Sequence, residues 1–551
     1  MNMKITRFNL LSLSCFLAIN VNAQQKPNII VILADDLGYA DVGCYGAKGV
    51  TTPNIDRLAN GGLKFTDAHC TAATCTPSRY SLLTGSYAFR TNAAILPGDA
   101  PLIIRPGITT VAGMLQKAGY QTAVVGKWHL GLGNGYINWN EKITPGPNEI
   151  GFNYSFLVPA TLDRVPCVFV ENNHVVNLDP KDPIMVNYDH KIGNEPTGIE
   201  NPELLKMKAD KQHSNTIING ISRIGFTTGG KSAWWNDEEI PFVLLEKTNR
   251  FLTLNKNRPF FLYLSYTDIH VPRAPNAKFI NKSTMGKRGD VIAQMDWLTG
   301  QVMNKLEELQ LTKNTIVIFT SDNGPVLDDG YTDFAEEKVG THRPGGPFRG
   351  GKYSAFEAGT RVPTIIYWPG KVKPGISNAM VNQVDLFASL AALTSQTLHA
   401  SDAPDSFDML DTWLGKSTKG RTTMLEESFT LCLRQGDWKY IAPQTGVVPV
   451  WMKNKKIETG FATRPQLYNL KDDIGEKKDL ATTFPELVKK MDVVLQQITK
   501  SPTRKGYINS SSQTEKNEQL NSEITSTQTS LLKKFLEFYH EEPLMIRDDV
   551  Q

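Results

Sequence analysis

The chain has 551 residues, 40% of them hydrophobic, with 59 basic against 56 acidic side chains and a formal net charge of +3. That balance excludes bulk attraction to nucleic acid and the low hydrophobicity of a disordered chain, leaving only local patches to bind anions. The length exceeds what one compact core serves and predicts two domains.

Residues 1–23 read as an export signal peptide. MNMKITR carries two positive charges, FNLLSLSCFLAINV is apolar but too short to span a bilayer, and VNA before Gln24 has the small-x-small form of a cleavage site. The expected location is therefore secreted or periplasmic. Cys15 raises the alternative of a lipoprotein, against which SLSC lacks the leucine expected three positions earlier. No later segment holds about 20 uninterrupted apolar residues, so no transmembrane segment is expected. Past the leader, Cys44, Cys70, Cys75, Cys167 and Cys432 are scattered and odd in number, unlike a disulfide framework.

A larger domain is expected over residues 24–405. In it four β-rich apolar runs stop abruptly at polar residues: NIIVILADD (28–36), QTAVVGKWH (121–129), PFFLYLSYTDIH (259–270) and NTIVIFTSDNG (314–324). Runs apolar on both faces suit buried, mostly parallel strands. Helical stretches between them, such as PNIDRLANGG, ITTVAGMLQKAGY and GDVIAQMDWLTGQVMNKLEELQL, give an α/β pattern. A smaller α+β domain with an antiparallel sheet is expected over 406–505, from the strand candidates TTMLEES, FTLCLRQGDWKYIAP and QLYNL and the helix PELVKKMDVVLQQITK. Residues 506–551 read as a polar tail with a short helix around LLKKFLEFY.

In such sheets ligands gather beyond the carboxyl ends of the strands, where these runs place Asp35, Asp36, Lys127, His129, His270, Asp322 and Asn323. Asp35, Asp36, Asp322 and Asn323 offer only oxygen, which suits a hard divalent ion rather than zinc. Either pair alone reads equally well as a turn or a cap, and a single His or Lys after a strand is commonly just exposed. Together at one edge, cation, imidazole and metal would suit a tetrahedral oxyanion ester.

One further stretch, CTPSRYSLLTG (75–85), places a cysteine before a proline and an arginine with no metal partner nearby. With it the chain resembles the formylglycine-dependent type I sulfatases of the alkaline phosphatase-like superfamily. Their signature is C or S, x, P, x, R, four residues and T-G, met here by Cys75, Pro77, Arg79, Thr84 and Gly85. Family landmarks follow in order: PNIIVILADDLGYADVGCYG, TPNIDRLANGGLKFTDAH, GKWHLG, SDNG, RGGK, FEAGTRVPTIIYWPG and LYNLKDDIGEKKDLA, across about residues 26–500.

The resemblance implies the alkaline phosphatase-like fold, a large mixed, mostly parallel sheet sandwiched by helices. It also implies Ca2+, with Mg2+ the lesser alternative, held by Asp35, Asp36, Asp322, Asn323 and the modified Cys75. Cys75 would be oxidised to formylglycine (3-oxoalanine) by a sulfatase-maturating enzyme, an obligatory partner. The hydrated aldehyde would attack sulfur with one hydroxyl and expel sulfate with the other, its proton affinity lowered by the cation and Arg79. Lys127 and Lys352 would grip sulfate oxygens, His270 would protonate the leaving oxygen, and His129 would act as base in the elimination. Arg361 matches a family position but reads as structural, and Cys44 and Cys70 read as small buried residues.

The substrate implied is a sulfated carbohydrate, first a galactose or N-acetylgalactosamine sulfate, cleaved by a sulfuric ester hydrolase serving glycan degradation. Long inserts at 131–180 and 326–352 are expected to rim the pocket, with Asp163, Arg164, His342 and Arg343 suited to sugar hydroxyls or a neighbouring anion. Trp234 and Trp235 read as loop anchors rather than a sugar platform. The alternatives are a phosphodiesterase or phosphonate monoester hydrolase of the same superfamily, and a non-catalytic glycan-binding relative. The second would have lost Cys75, Arg79 or a metal ligand, and none is lost.

Overall fold

A computed structural model describes residues 26–501 apart from 454 and 456. The expected leader and polar tail lie outside the described residues. Ten strands form the main sheet: β1 (Asn28–Ala34), β2 (Leu63–Phe65), β3 (Gln121–Lys127), β4 (Tyr154–Val158), β5 (Val170–Glu171), β6 (His174–Val175), β7 (Phe260–Ser265), β8 (Thr315–Ser321), β9 (Thr364–Tyr367) and β10 (Gly375–Ser377). Their order is β10-β2-β9-β8-β1-β7-β3-β4-β5-β6. The central run β8-β1-β7-β3-β4 is parallel, and β9 joins β8 and β2 antiparallel. The sheet is mostly parallel, as the apolar runs led us to expect, and mixed, as the family resemblance implies.

Strand β1 shows why. Ile29, Val31 and Leu33 feed one hydrophobic core while Ile30, Ile32 and Ala34 feed the other, so both faces of a period-2 strand are covered. Helices α1 (Pro53–Gly61), α4 (Ile240–Asn255) and α5 (Gly286–Glu308) cover the second face. Helices α2 (Cys75–Thr84), α3 (Val111–Lys117) and α6 (Leu386–Leu393) cover the first.

The C-terminal region is a four-stranded antiparallel sheet of β11 (Thr423–Glu427), β12 (Leu431–Gln435), β13 (Trp438–Ile441) and β14 (Gln466–Asn469). Helix α7 (Pro485–Lys500) sets Met491 and Leu495 into its core. The stretch FTLCLRQGDWKYIAP, read above as one strand candidate, is two strands, because Gly436 at φ +56° closes a hairpin between β12 and β13. The sheet is stitched to the main domain beside the cysteine motif: the Glu427 N–H donates to the Thr71 carbonyl and the Ala73 N–H to the Glu427 carbonyl.

Candidate active site

The four runs named from sequence are adjacent strands of the parallel region, so their carboxyl ends open onto one edge. Asp35 and Asp36 follow β1, Asp322 and Asn323 follow β8, Lys127 ends β3, and Ser265 ends β7. Asp36 and His129 both adopt the left-handed backbone, at φ +60° and +52°, a conformation rare outside glycine and frequent where side chains are aimed at a site.

Helix α2 delivers two more groups to the same edge. Cys75 is its first residue and Arg79 lies one turn on, so both project from one face. All ten residues of the helix are buried. Gly85 then ends it at φ +65°, where a Cβ would sit 2.3 Å from that of Ala403, a physical reason for glycine in the motif. The Cys75 sulfur lies 3.7 Å from Asp35 Oδ1 and 3.9 Å from Asp36 Oδ1. Burial lifts the thiol well above its ordinary value, so the unmodified side chain is a poor nucleophile there.

Arg79 is fully buried. Its Nε donates to Asp322 Oδ2 at 2.8 Å, and its Nη1 donates to the Lys127 carbonyl and to Ser265 Oγ. Lys127 donates to both Asp35 oxygens at 2.8 and 2.6 Å, and Lys352 donates to Asp36 Oδ2 and Asp329 Oδ2, each at 2.9 Å. Burial, opposed by Lys127, raises the Asp35 carboxyl to about 8. Asp322 is equally buried, yet Arg79 and Lys127 outweigh that and hold it below its ordinary value.

These groups fit a hard cation. Ligand atoms of Asp35, Asp36, Cys75 and Asp322 lie within 4.8 Å of one another, and Asn323 Oδ1 is buried with no hydrogen-bond partner. The carboxylates of Asp35, Asp36 and Asp322 face three cationic groups, Arg79, Lys127 and Lys352. A divalent ion would leave the pocket net positive and receptive to an anion.

The histidines flank the cysteine. His129 Nε2 lies 3.0 Å from the Leu96 carbonyl, which can only accept, so Nε2 carries the proton. Nδ1 is buried without a partner, its lone pair available. Burial, then Lys127 and Arg164, pull this imidazole well below its ordinary value. Thr76 Oγ1 donates to the His129 carbonyl at 2.9 Å and ties the histidine to the start of α2. His270 Nδ1 donates to the Val271 carbonyl at 2.5 Å, leaving Nε2 directed toward Asp36 Oδ2 at 3.8 Å. Burial, Lys352 and Lys127 lower it to about 3, so it is neutral before an anion arrives.

Cys75, His129, His270 and Lys352 line a narrow cavity of about 40 Å3. Its outer wall includes Asp163, Arg164, His213, Asp329, Tyr353 and Lys455. Asp329 bridges Lys352 and Lys455, each at 2.9 Å, and also accepts from the Tyr353 hydroxyl at 3.2 Å. Asp163 accepts from Arg164 Nη1 at 3.0 Å and lies 3.4 Å from His213 Nε2.

Similarity to known proteins extends over most of the chain. The sulfatase family pattern matches residues 27–155 and 242–396. An N-acetylgalactosamine-6-O-sulfatase of Bacteroides thetaiotaomicron is 54% identical over 484 residues, covering 87% of this chain and 94% of the relative. This chain belongs to the sulfatase family. The sulfatase is also 32% identical to human arylsulfatase A over 419 residues, 75% of this chain and 73% of that one. A solved Bacteroides thetaiotaomicron structure, described in connection with metabolism of multiple glycosaminoglycans, superposes with TM-score 0.85 at 54% identity, covering 87% of the sulfatase and all of that chain.

Two rim residues expected from sequence lie elsewhere in the sulfatase. His342 is buried with Nε2 2.9 Å from Asp41 Oδ1, and its Nδ1 accepts from the Lys48 N–H. It completes a buried group in which Arg288 grips both oxygens of Asp41. Arg343 is exposed and takes no part in the cavity wall. Polar composition of a loop does not say which way it folds, and here Asp41 captures the imidazole. Arg361 holds the Thr66 carbonyl and Glu357, a structural task. Trp235 is buried against Phe169, and Trp234 donates to the Gly229 carbonyl, so both anchor their loop.

Sequence reasoning passed over Asp329, Tyr353, His213 and Lys455. Asp329 sits in an insert already assigned to the rim, within DDG, a combination common in turns. Lys455 comes from the C-terminal region with no local signal at all.

Proposed function

We propose that this sulfatase hydrolyses the 6-O-sulfate of N-acetylgalactosamine, or of the related galactose, within a glycan. The observation that carries the reading is the 54% identity, over 87% of this chain and 94% of the relative, to a protein named for the N-acetylgalactosamine ester. Cys75 matured to formylglycine would supply a hydrated aldehyde as nucleophile. Ca2+, held by Asp35, Asp36, Asp322, Asn323 and the modified Cys75, would supply charge for the sulfate oxygens.

The chain's own residues account for the remaining steps. Arg79 is pinned between Asp322 and Ser265 one turn from Cys75, where its charge favours an oxyanion on that side chain. Lys127 and Lys352, now paired with Asp35 and Asp36, are the buried cations available to neutralise the transferring group. His129 offers the lone pair of Nδ1 as base. His270 offers Nε2, whose proton affinity an adjoining anionic ester would raise, the condition for donating to the leaving oxygen. Asp163 and Arg164 stand at the outer wall, suited to sugar hydroxyls.

The reading includes export through the leader at residues 1–23 to a secreted or periplasmic site, and a sulfatase-maturating enzyme as partner. No helix among the described residues is long and apolar enough to cross a membrane. The test is to produce the chain with a maturase, determine the mass of the Cys75 peptide, and follow sulfate release from 6-sulfated and 4-sulfated N-acetylgalactosamine and cleavage of a phosphonate monoester. Formylglycine at Cys75, preference for the 6-sulfate, and loss of at least about 10⁴-fold in rate on Cys75→Ala are expected. Full activity with an unmodified cysteine, or preference for the phosphonate, would overturn the proposal.

A further inference from the structure

A second cavity adjoins the catalytic one. It holds about 400 Å3 and shares a wall of Gln212, Trp451 and Lys455 with the pocket above Cys75. That volume is ample for one sugar unit. Of its wall residues Phe334 stands out, a bulky side chain 53% exposed whose backbone sits at φ +61°. Such a residue is rarely held left-handed, and an exposed aromatic gains nothing for the fold there.

The loop that presents Phe334 is built to hold it. Asp333 Oδ1 accepts from the Ala335 N–H at 2.9 Å, and Asp333 Oδ2 pairs with the buried Arg273 at 2.6 Å. The same guanidinium donates to the Leu327 and Val326 carbonyls, so one arginine pins both ends of the segment. Across the shared wall, Trp451 Nε1 is buried without a hydrogen-bond partner among the described residues, and its ring packs edge-on to Tyr353 at 5.0 Å. Among the described residues five acidic side chains and two lysines line the cavity; Asp333 pairs with Arg273 and Asp210 with His213, which leaves Asp328, Glu336 and Glu337 to give the wall its acidic character. Lys455 is already neutralised by Asp329.

We propose that this cavity is a second sugar subsite, taking the unit next to the sulfated one, with Phe334 as its platform and an acidic wall that selects a neutral neighbour over a uronic acid or a second sulfated sugar. The inference rests on the glycan-sulfatase reading above. A pyranose ring presents C–H groups to an aromatic face, and carboxylates accept from its hydroxyls, whereas an anionic neighbour would meet like charge.

The test compares kcat/KM of the matured, Ca2+-loaded enzyme on three substrates: 6-sulfated N-acetylgalactosamine alone, linked to a neutral hexose, and linked to a uronic acid. The neutral disaccharide should exceed the monosaccharide about fivefold, a ratio that Phe334→Ala collapses toward one and Phe334→Tyr restores. Glu336→Gln with Glu337→Gln should raise the uronate-linked substrate relative to the neutral one, with circular dichroism and melting checking that each variant folds. Equal kcat/KM for all three, or a uronate preference in the wild type, overturns the subsite and leaves the sulfatase reading standing. Absence of sulfate release from every sugar overturns that reading itself.

Discussion

The protein buries two clusters of charge, and they differ in whether they border a cavity. Beneath the catalytic pocket, Asp35, Asp36, Asp322 and Asp329 meet Arg79, Lys127, Lys352 and Lys455. Between the main sheet and the C-terminal sheet, Asp67, Glu357, Glu426 and Glu476 meet His69, Arg361, Arg434 and Lys439. In the second cluster each charge has an opposite one within 4 Å, contributed from both sides of the junction, and its members lie outside the wall of the catalytic cavity. In the first, Asn323 Oδ1 and the His129 Nδ1 face no partner, and Cys75 meets only long contacts to carboxylates. Asp67, His69 and Glu357 even come close enough together to suggest a metal, but His69 spends both nitrogens on Asp67 and Glu426. Buried charge alone therefore marks cohesion as readily as chemistry, and so do single unsatisfied atoms, since Arg434 Nε, Glu426 Oε2 and Glu476 Oε1 also lack a hydrogen bond; what separates the two is that Cys75, His129 and Lys352 of the first line a cavity.

The comparison breaks most visibly at Lys439, whose ammonium lies 3.0 Å from Glu357 and 3.2 Å from Glu426. Lys439→Met strands those carboxylates and should cost about 3–5 kcal/mol, read as a lowered denaturation midpoint. In the catalytic cluster the balance should reverse. Asn323→Ala removes two donated bonds, to Asp36 Oδ1 and to the Gly324 carbonyl, together worth about 1–3 kcal/mol, yet should weaken Ca2+ binding about 10- to 100-fold, measured by titration calorimetry.

Acidity distinguishes the clusters next. Burial pulls the His69 imidazole down, but Glu426 and Asp67 lift it above 6.5. A histidine raised on folding stabilises fully below its unfolded value of 6.5 and loses that contribution as pH rises through the folded value. Denaturation midpoints should thus fall on the alkaline side of 6.5, and His69→Gln should flatten that slope. The smallest effect is expected at Arg343, exposed and outside both clusters. Arg343→Ala should move stability by less than about 0.5 kcal/mol in a melting experiment and leave sulfate release within about twofold.

Much of the site could be read along the chain because its parts are local. Each of the four parallel strands announces itself as a run apolar on both faces, and the residue that ends the run is carried to the ligand edge by the strand itself. Asp35, Lys127 and Asp322 needed no more than that. Cys75 and Arg79 were picked out by the family signature, and one helical turn carries both to the same edge. FTLCLRQGDWKYIAP was misread because a single glycine at positive φ divides one apolar run into two strands. His342 was misplaced because a polar loop is compatible with many partners, and only the fold puts Asp41 next to it.

Sequence by itself determined the strands and the cysteine motif, and it placed Asp35, Asp36, Lys127, Asp322 and Asn323 at one sheet edge, since these follow from periodicity and spacing within a few residues; the roles of those groups came from the family resemblance. Tertiary structure alone decided which polar groups are spent on each other and which remain available, and it alone brought Asp329 and Lys455, 126 positions apart, to one wall. The physical reason is that a hydrogen bond or ion pair is settled by distances of a few ångströms between elements whose packing no local pattern encodes.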